Sequence, residues 1–325
     1  MKRQVLNHYA IVGAGALGTI LAVLLSRAGH RVSLLARGAR AEQIKNHGLA
    51  INGLVDASAR CEVLDNPQQL GAADVLIYTT KTYHLQAALA TLKHVDVNRV
   101  FAVANGVSKS AFLADTHGAA SVLGCVADFS GELTDDGTVL YTRNNGLYLG
   151  ELDGSDSARL RQIASETGDS GLKTIAVNNI VSEEWSKFVA WVPVLLLAIL
   201  TRARTGRYLS DCDCAHFAVS LIKEVAALAD SQKIPLMDRS LLPAATISSL
   251  PVDKAVACIV DIGAQMIDSA PKHKMSGLQD LENGRSLEIH ETIGYALQLA
   301  EQKGIAMPMT QAAFYLAAGV DRMQG

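Results

Sequence analysis

The stretch Tyr9-Ala10-Ile11-Val12-Gly13-Ala14-Gly15-Ala16-Leu17-Gly18 decides the fold of this chain. A short apolar run leads into a G-x-G-x-x-G turn, and a helical pattern follows at once. In a dinucleotide-binding turn the first glycine permits the tight turn, the second leaves room for the pyrophosphate, and the third lets the helix lie close to the sheet. The helix N-terminus offers free N–H groups to the phosphates. The turn therefore predicts cofactor contacts at Gly13, Ala14, Gly15, Ala16, Leu17 and Gly18.

A second apolar run, residues 32–36, follows Gly29 and His30 and completes a βαβ unit. Glycines also mark ordinary turns that bind no ligand. The strand before this turn and the helix after it favour the dinucleotide site.

The residues after the second strand indicate which dinucleotide binds. NAD sites usually carry Asp or Glu there, whereas NADP sites carry Arg for the 2′-phosphate. This chain has Arg37-Gly38-Ala39-Arg40, and no acidic residue precedes Glu42. Two solvated loop cations are the alternative interpretation. Because a guanidinium stands where the carboxylate is missing, the sequence favours NADP, with Arg37 as the ligand of the 2′-phosphate.

Composition limits the classes of protein to consider. With 325 residues, 49% of them apolar, the chain is expected to form two domains. A net charge of −3 without any run of five like charges argues against nucleic acid or an anionic membrane as a partner. The five scattered cysteines do not suggest a disulfide framework, and the cluster at 211–216 lacks zinc-site spacing, so no metal is predicted. Residues 1–4 show no signal-peptide pattern, which predicts a cytoplasmic enzyme.

Two patterns divide the chain. Apolar runs at 74–79, 100–104 and 121–126 alternate with helical segments, as in a parallel, doubly wound sheet. Asp136-Gly137 lies between β-prone segments and predicts a hairpin. We therefore predict an α/β fold: a Rossmann-type parallel sheet with an antiparallel extension at 1–178, then an all-helical domain at 179–325.

The helical domain has one strongly apolar segment. Ser182 is a plausible N-cap for a helix that continues through the apolar residues 188–200. That run is too short to span a membrane and contains Pro193, so a kinked, buried central helix is expected. Further helices are predicted at 215–230, 248–267, 286–303 and 309–323.

Three polar residues follow predicted strands, where ligands bind in open α/β sheets. They are Lys81, Asn105 and Asp128. Each has an alternative interpretation without a ligand, because Asn105-Gly106 is also a turn signal and Lys81 also flanks a helix.

Lys187 and Glu288 are more ambiguous from the residues alone. Glu183 lies four residues before Lys187, the spacing of a surface ion pair. Alternatively, desolvation beside apolar sequence lowers the pKa of the lysine, which then donates a proton. Glu288 falls in the first turn of a helix predicted to begin at Ser286, where the dipole stabilises a carboxylate that has no catalytic duty.

Taken together, several blocks resemble the ketopantoate reductase (2-dehydropantoate 2-reductase) family over nearly the whole chain. They are Gly13–Gly18, Gly29-His30, Arg37, Thr80–Tyr83, Asn105-Gly106, Glu184–Phe188, Met275–Leu281, Gly284-Arg285 and Glu288-Ile289. The resemblance implies a Rossmann domain followed by a helical substrate and dimerisation domain, with the site in the cleft between them. It also implies NADPH-dependent reduction of a 2-oxo acid, most specifically of ketopantoate to pantoate in pantothenate biosynthesis. A homodimer is the candidate assembly.

The resemblance assigns roles by position. Lys187 would be the general acid, and Glu288 would bind the substrate and hold Lys187. Ser276 would contact the substrate carboxylate, while Asn105 and Lys81 would line the nicotinamide and substrate region.

The chain departs from the family pattern in the substrate-binding region. Trp191 and Leu195 stand where the family has substrate-binding asparagines, and His290 stands where an aspartate commonly follows the Glu-Ile pair. Trp191 and Leu195 would make the substrate pocket more apolar. The alternatives are therefore a reductase of the same family that acts on a more apolar 2-oxo acid, and a non-catalytic NADP-binding sensor.

Overall fold

The computed structural model describes residues 7–324. Residues 1–4, on which the cytoplasmic prediction depends, lie outside the described part of the chain. The chain divides into two compact units, one of residues 7–104 with 109–180 and one of residues 105–108 with 181–324.

The first unit is built on a parallel sheet of five strands in the order β5-β2-β1-β7-β9. The strands of this unit are β1 (His8–Val12), β2 (Arg31–Leu35), β3 (Leu49–Gly53), β4 (Ala57–Ala59), β5 (Glu62–Leu64), β6 (Ala72–Ala73), β7 (Val75–Tyr78), β8 (Asp96–Val97), β9 (Val100–Ala102), β10 (Leu123–Leu133), β11 (Val139–Glu151) and β12 (Thr174–Ala176). Its helices are α1 (Ala16–Arg27), α2 (Gly38–His47), α3 (Thr82–Thr91), α4 (Lys109–His117) and α5 (Ala158–Asp169). Four residues of β1 are buried, as expected for a strand covered on both faces. The predicted parallel sheet is confirmed.

A second sheet contains the predicted antiparallel extension. β10 and β11 pair antiparallel along their length, and β11 also pairs with β3 and β12. The hairpin turn at Asp136-Gly137 is therefore confirmed. The run at 121–126 does not join the parallel sheet as a strand, because it enters β10 and continues to Leu133.

This longer strand corrects the prediction for Asp128. Asp128 lies at a bulge in the middle of β10, not at the end of a parallel strand. Its carboxylate forms an ion pair with Arg143, with Nε and Oδ1 3.2 Å apart, and accepts a hydrogen bond from Asn145 at 3.1 Å. The side chain therefore links the two strands of the hairpin.

The second unit is helical, as predicted. It contains α6 (Ile180–Thr201), α7 (Thr205–Leu209), α8 (Cys212–Asp230), α9 (Ala244–Ser249), α10 (Val252–Ser269), α11 (Ser276–Glu282), α12 (Tyr295–Gln302) and α13 (Pro308–Arg322). The helix predicted at 248–267 is divided, because α9 ends at Ser249 and Pro251 is the N-cap of a new helix that begins at Val252. The helix predicted to begin at Ser286 begins at His290, with a π-helical turn.

Helix α6 is the centre of this unit. It begins at Ile180, so Ser182 lies inside the first turn and the N-cap prediction is wrong. By length and hydropathy it is the one helix between residues 7 and 324 that would reach across a membrane, but 78% of its most apolar window is buried within the protein. Pro193 lies inside the helix. The six other residues between Val192 and Ala198 are all apolar, and each is 3% exposed or less. The prediction of a buried central helix is confirmed.

Candidate functional site

The glycine turn connects β1 to α1 in the first unit. Gly13 has a φ of +114°, which disfavours any residue with a Cβ. A Cβ on Gly18 would lie 2.0 Å from the Gly13 carbonyl oxygen, so only glycine fits this close approach. A Cβ on Gly15 would meet no atom of residues 7–324 within 4 Å. The open space above Gly15 at a helix N-terminus fits the pyrophosphate of a dinucleotide.

Two side chains brace this turn. Thr79, directly after β7, donates its hydroxyl to the Gly13 carbonyl at 2.8 Å. Arg40 is partly buried and donates from Nε to the Ala14 carbonyl at 3.1 Å, so it is not the solvated cation of the alternative interpretation. Arg37 is exposed at the N-cap of α2. Sequence reasoning missed Thr79 entirely, although its place at a strand end was a usable signal.

Thr80 and Lys81 follow Thr79 at the carboxyl end of β7. The Thr80 hydroxyl oxygen is buried, and no hydrogen-bond partner is found for it among the described residues. Buried hydroxyls are normally hydrogen-bonded, so this atom is suited to a polar ligand. Lys81 is partly buried at the N-cap of α3.

In the second unit, Asn105 and Glu288 lie together. The Asn105 amide Nδ2 donates to Glu288 Oε2 at 3.4 Å, although the two residues are 183 positions apart. Glu288 is 8% exposed. Gly106 has a φ of +83°, and a Cβ there would lie 3.0 Å from Thr292 Cγ2. The Asn105-Gly106 turn therefore packs closely against the segment that follows Glu288.

Glu288 does not occupy the first turn of a helix. It precedes the π-helical turn His290–Gly294, in which the Gly294 N–H donates to the Ile289 carbonyl at 2.9 Å. The Thr292 hydroxyl donates to the Glu288 carbonyl. The helix-dipole interpretation of Glu288 is therefore wrong. Short π-helical segments are rare and frequently occur at functional sites.

Lys187 lies in the second turn of α6 and is partly buried. Glu183, its proposed surface partner, is 3% exposed and forms an ion pair with Arg239, with Nε and Oε1 3.1 Å apart. Burial raises the pKa of Glu183, and the Arg239 guanidinium opposes that rise. Glu183 is therefore not part of a solvated face, contrary to what the surface-pair interpretation requires.

Lys187, Trp191 and Leu195 recur every four residues, so they lie along one face of α6. Trp191 is partly buried and stacks on Phe188, with ring centroids 6.2 Å apart. Leu195 is 2% exposed, and a Cβ on Gly277 would lie 2.2 Å from its Cδ1. Leu195 therefore packs against the first turn of α11, where Ser276 is exposed.

The cluster at 211–216 has a structural explanation. The Asp211 carboxylate accepts the Cys214 N–H at 2.9 Å and caps the N-terminus of α8. Burial, with Asp211 nearby, raises the pKa of the Cys214 thiol to about 11. Within residues 7–324 no group of three or more His, Cys, Asp or Glu residues has the arrangement of a metal site.

Known proteins resemble the chain along its length. The chain is 28% identical to a 2-dehydropantoate 2-reductase from Archaeoglobus fulgidus over 96% of this chain and 97% of that protein. The structure of a D-mandelate dehydrogenase with NADH and anilino(oxo)acetate superimposes with a TM-score of 0.83, at 20% identity, covering 98% of this chain and 99% of that one. A dimeric ketopantoate reductase from Staphylococcus aureus superimposes with a TM-score of 0.74, at 18% identity, covering 98% and 100%.

Two family models match most of the sequence. The model described as "Ketopantoate reductase PanE/ApbA" matches residues 9–154, and its C-terminal counterpart matches residues 179–321. The matched regions include the glycine turn, Asn105, Lys187 and Glu288. The chain therefore belongs to the ketopantoate reductase family of oxidoreductases.

Proposed function

We propose that this protein reduces a 2-oxo acid to a 2-hydroxy acid with NADPH. The observation that carries the proposal is the buried Glu288 carboxylate bonded to the Asn105 amide in a ketopantoate reductase family member. A buried carboxylate and an amide are suited to bind the polar groups of a 2-oxo acid.

Each proposed role follows from the chemistry of the side chain. NADPH supplies the hydride, so negative charge develops on the carbonyl oxygen of the substrate. The Lys187 ammonium protonates that oxygen as general acid. Glu288 binds substrate and orients Lys187, Ser276 binds the substrate carboxylate, and Asn105 and Lys81 contact nicotinamide or substrate.

The choice of NADPH depends on Arg37. Arg37 follows β2, and its guanidinium is exposed to solvent. It can therefore contact the 2′-phosphate of the cofactor. We expect Arg37→Asp to lower the preference for NADPH over NADH by about 100-fold, since it replaces a phosphate-binding cation with a ribose-binding carboxylate. The ratio of kcat/KM values for the two cofactors measures this. An unchanged ratio would remove Arg37 from its assigned role.

Two kinds of 2-oxo acid are candidates for the substrate. Ketopantoate is one candidate, and a more apolar 2-oxo acid is the second, favoured by Trp191 and Leu195 in place of asparagines. The likeness to a dehydrogenase that binds anilino(oxo)acetate also supports the apolar candidate.

A screen of NADPH oxidation separates these candidates. Wild type and Trp191→Asn are compared on ketopantoate, pyruvate and phenylglyoxylate. If the pocket is apolar, wild type prefers phenylglyoxylate, and Trp191→Asn shifts the preference towards ketopantoate by about tenfold, the value of one good hydrogen bond. Unchanged relative rates in the variant would place residue 191 outside the pocket. NADPH binding without turnover of any 2-oxo acid would favour the sensor instead.

We also propose that the enzyme is cytoplasmic and forms a homodimer. The burial of α6 within its own unit argues against a membrane span and so fits the first point. The dimeric reductase from Staphylococcus aureus supports the second, which the molar mass of the protein in solution would test.

A further inference from the structure

Arg40 forms an unusually complete set of hydrogen bonds beside the glycine turn. Besides the Ala14 carbonyl, its Nη1 donates to Gln43 Oε1 at 2.6 Å and to the Gly137 carbonyl at 2.8 Å. Its Nη2 donates to the Thr19 hydroxyl at 3.0 Å. Because arginine has five N–H donors, only one is left for any other partner.

These bonds connect α2 to the glycine turn, to the start of α1 and to the β10–β11 hairpin. Ala14 belongs to the glycine turn, Thr19 to the first turns of α1, and Gly137 to the β10–β11 hairpin. Gln43 extends the link, since its Nε2 donates to the Asp136 carbonyl at 2.6 Å. All four acceptors on Arg40 are uncharged, so the positive charge next to the turn is not neutralised by any of them.

The carbonyl groups of residues 13–15 each accept a hydrogen bond from the protein. Gly13 accepts from Thr79, Ala14 from Arg40, and Gly15 from the Thr19 N–H at 2.9 Å. In a trans peptide the N–H of the next residue points away from the carbonyl. The braces therefore direct the N–H of Ala14 away from Thr79 and the N–H of Gly15 away from Arg40, and these are groups that a dinucleotide turn presents to phosphates.

We propose that Arg40 is a positioning residue that holds the glycine turn in its phosphate-binding conformation, and that it is not a ligand of the 2′-phosphate. The inference rests on the proposed NADPH site. It also makes the tip of the β10–β11 hairpin a part of the scaffold for cofactor binding. NADPH and NADH share the pyrophosphate and differ at the 2′ position, so a positioning role affects both cofactors equally.

The test compares cofactor binding by Arg40→Met and wild type. Dissociation constants for NADPH and NADH are measured by fluorescence titration of the purified enzyme without substrate. We expect both constants to rise about tenfold and their ratio to stay within twofold of wild type. Arg60→Met is the matched control, because Arg60 is exposed and donates to the Lys45 and Asn46 carbonyls at the far end of α2, away from the glycine turn. It should bind both cofactors like wild type.

A second measurement needs no cofactor. Hydrogen–deuterium exchange of residues 13–19 should be at least tenfold faster in Arg40→Met than in Arg60→Met. Arg40→Lys, which keeps the charge but cannot reach all four acceptors, should give intermediate exchange and intermediate binding. These smaller changes keep the test valid if Arg40→Met folds poorly.

The possible outcomes distinguish a failure of the positioning role of Arg40 from a failure of the proposed function. A loss confined to NADPH would make Arg40 a 2′-phosphate ligand and overturn the inference, as would unchanged binding and exchange. Wild-type protein that binds neither cofactor would overturn the proposed function itself. Equal losses for both cofactors with faster exchange support the positioning role, and kcat at saturating NADPH should then remain within twofold of wild type.

Discussion

Lys187→Ala is expected to lower kcat by two to four orders of magnitude while leaving the dissociation constant for NADPH unchanged. The reason is that a positioned general acid contributes about 10²–10⁴-fold to a reaction that builds charge on oxygen. Single-turnover oxidation of NADPH with the best substrate from the screen measures the chemical step directly. Binding of NADPH is measured separately by fluorescence.

Lys254→Ala is the matched control for this variant. Lys254 is an exposed lysine of α10 in the same unit, so its loss removes an equal charge without affecting the proposed site. Its kcat should stay within twofold of wild type. Activity of Lys187→Ala within threefold of wild type would exclude the lysine as the proton donor.

Two alanine substitutions in the glycine turn should have different effects, one on cofactor binding and the other on the free energy of unfolding. Gly15→Ala should raise the dissociation constant for NADPH at least tenfold with little change in the free energy of unfolding, since a Cβ there meets no protein atom of residues 7–324 but enters the space proposed for the pyrophosphate. Gly18→Ala should reduce the free energy of unfolding by about 3 kcal/mol, because overpacking against fixed neighbours is costly. Its Cβ would lie 2.0 Å from the Gly13 carbonyl oxygen.

Urea unfolding and cofactor titration together separate these effects. Gly168→Ala serves as the control, because Gly168 is helical in α5 and a Cβ there meets nothing within 4 Å in the described chain. Gly168→Ala should neither lower the free energy of unfolding nor raise the dissociation constant for NADPH. If Gly15→Ala binds NADPH as well as wild type does, the phosphates do not pass over residue 15.

The sequence predicted best what depends on neighbouring residues. The glycine turn, the parallel strands around it and the Asp136-Gly137 hairpin are encoded within a few positions each, and the structure has all of them. The buried α6 was likewise evident from its unbroken apolar run.

Features that depend on distant partners could not be predicted from the residues alone. From the sequence alone, Arg40 can be interpreted as a solvated loop residue. In the structure it donates a hydrogen bond to the Gly137 carbonyl, 97 positions away. Glu183 has the spacing of an exposed ion pair, but it is buried and pairs with Arg239 in another segment. The position of Glu288 before a π-helical turn has no local signature either, since the serine and the charged residues around it fit an ordinary helix start.

The assignment of residues 105–108 to the helical unit has a consequence for synthesis and truncation. These four residues leave the ribosome some seventy positions ahead of α6, yet Asn105 bonds to Glu288 and Ser108 donates to the Glu291 carbonyl at 3.3 Å. A fragment that starts near residue 180 lacks residues 105–108, even though the truncation point lies at the boundary between the two units. The helical unit is therefore discontinuous in sequence, and a fragment of the C-terminal half alone loses the hydrogen bonds that Asn105 and Ser108 donate.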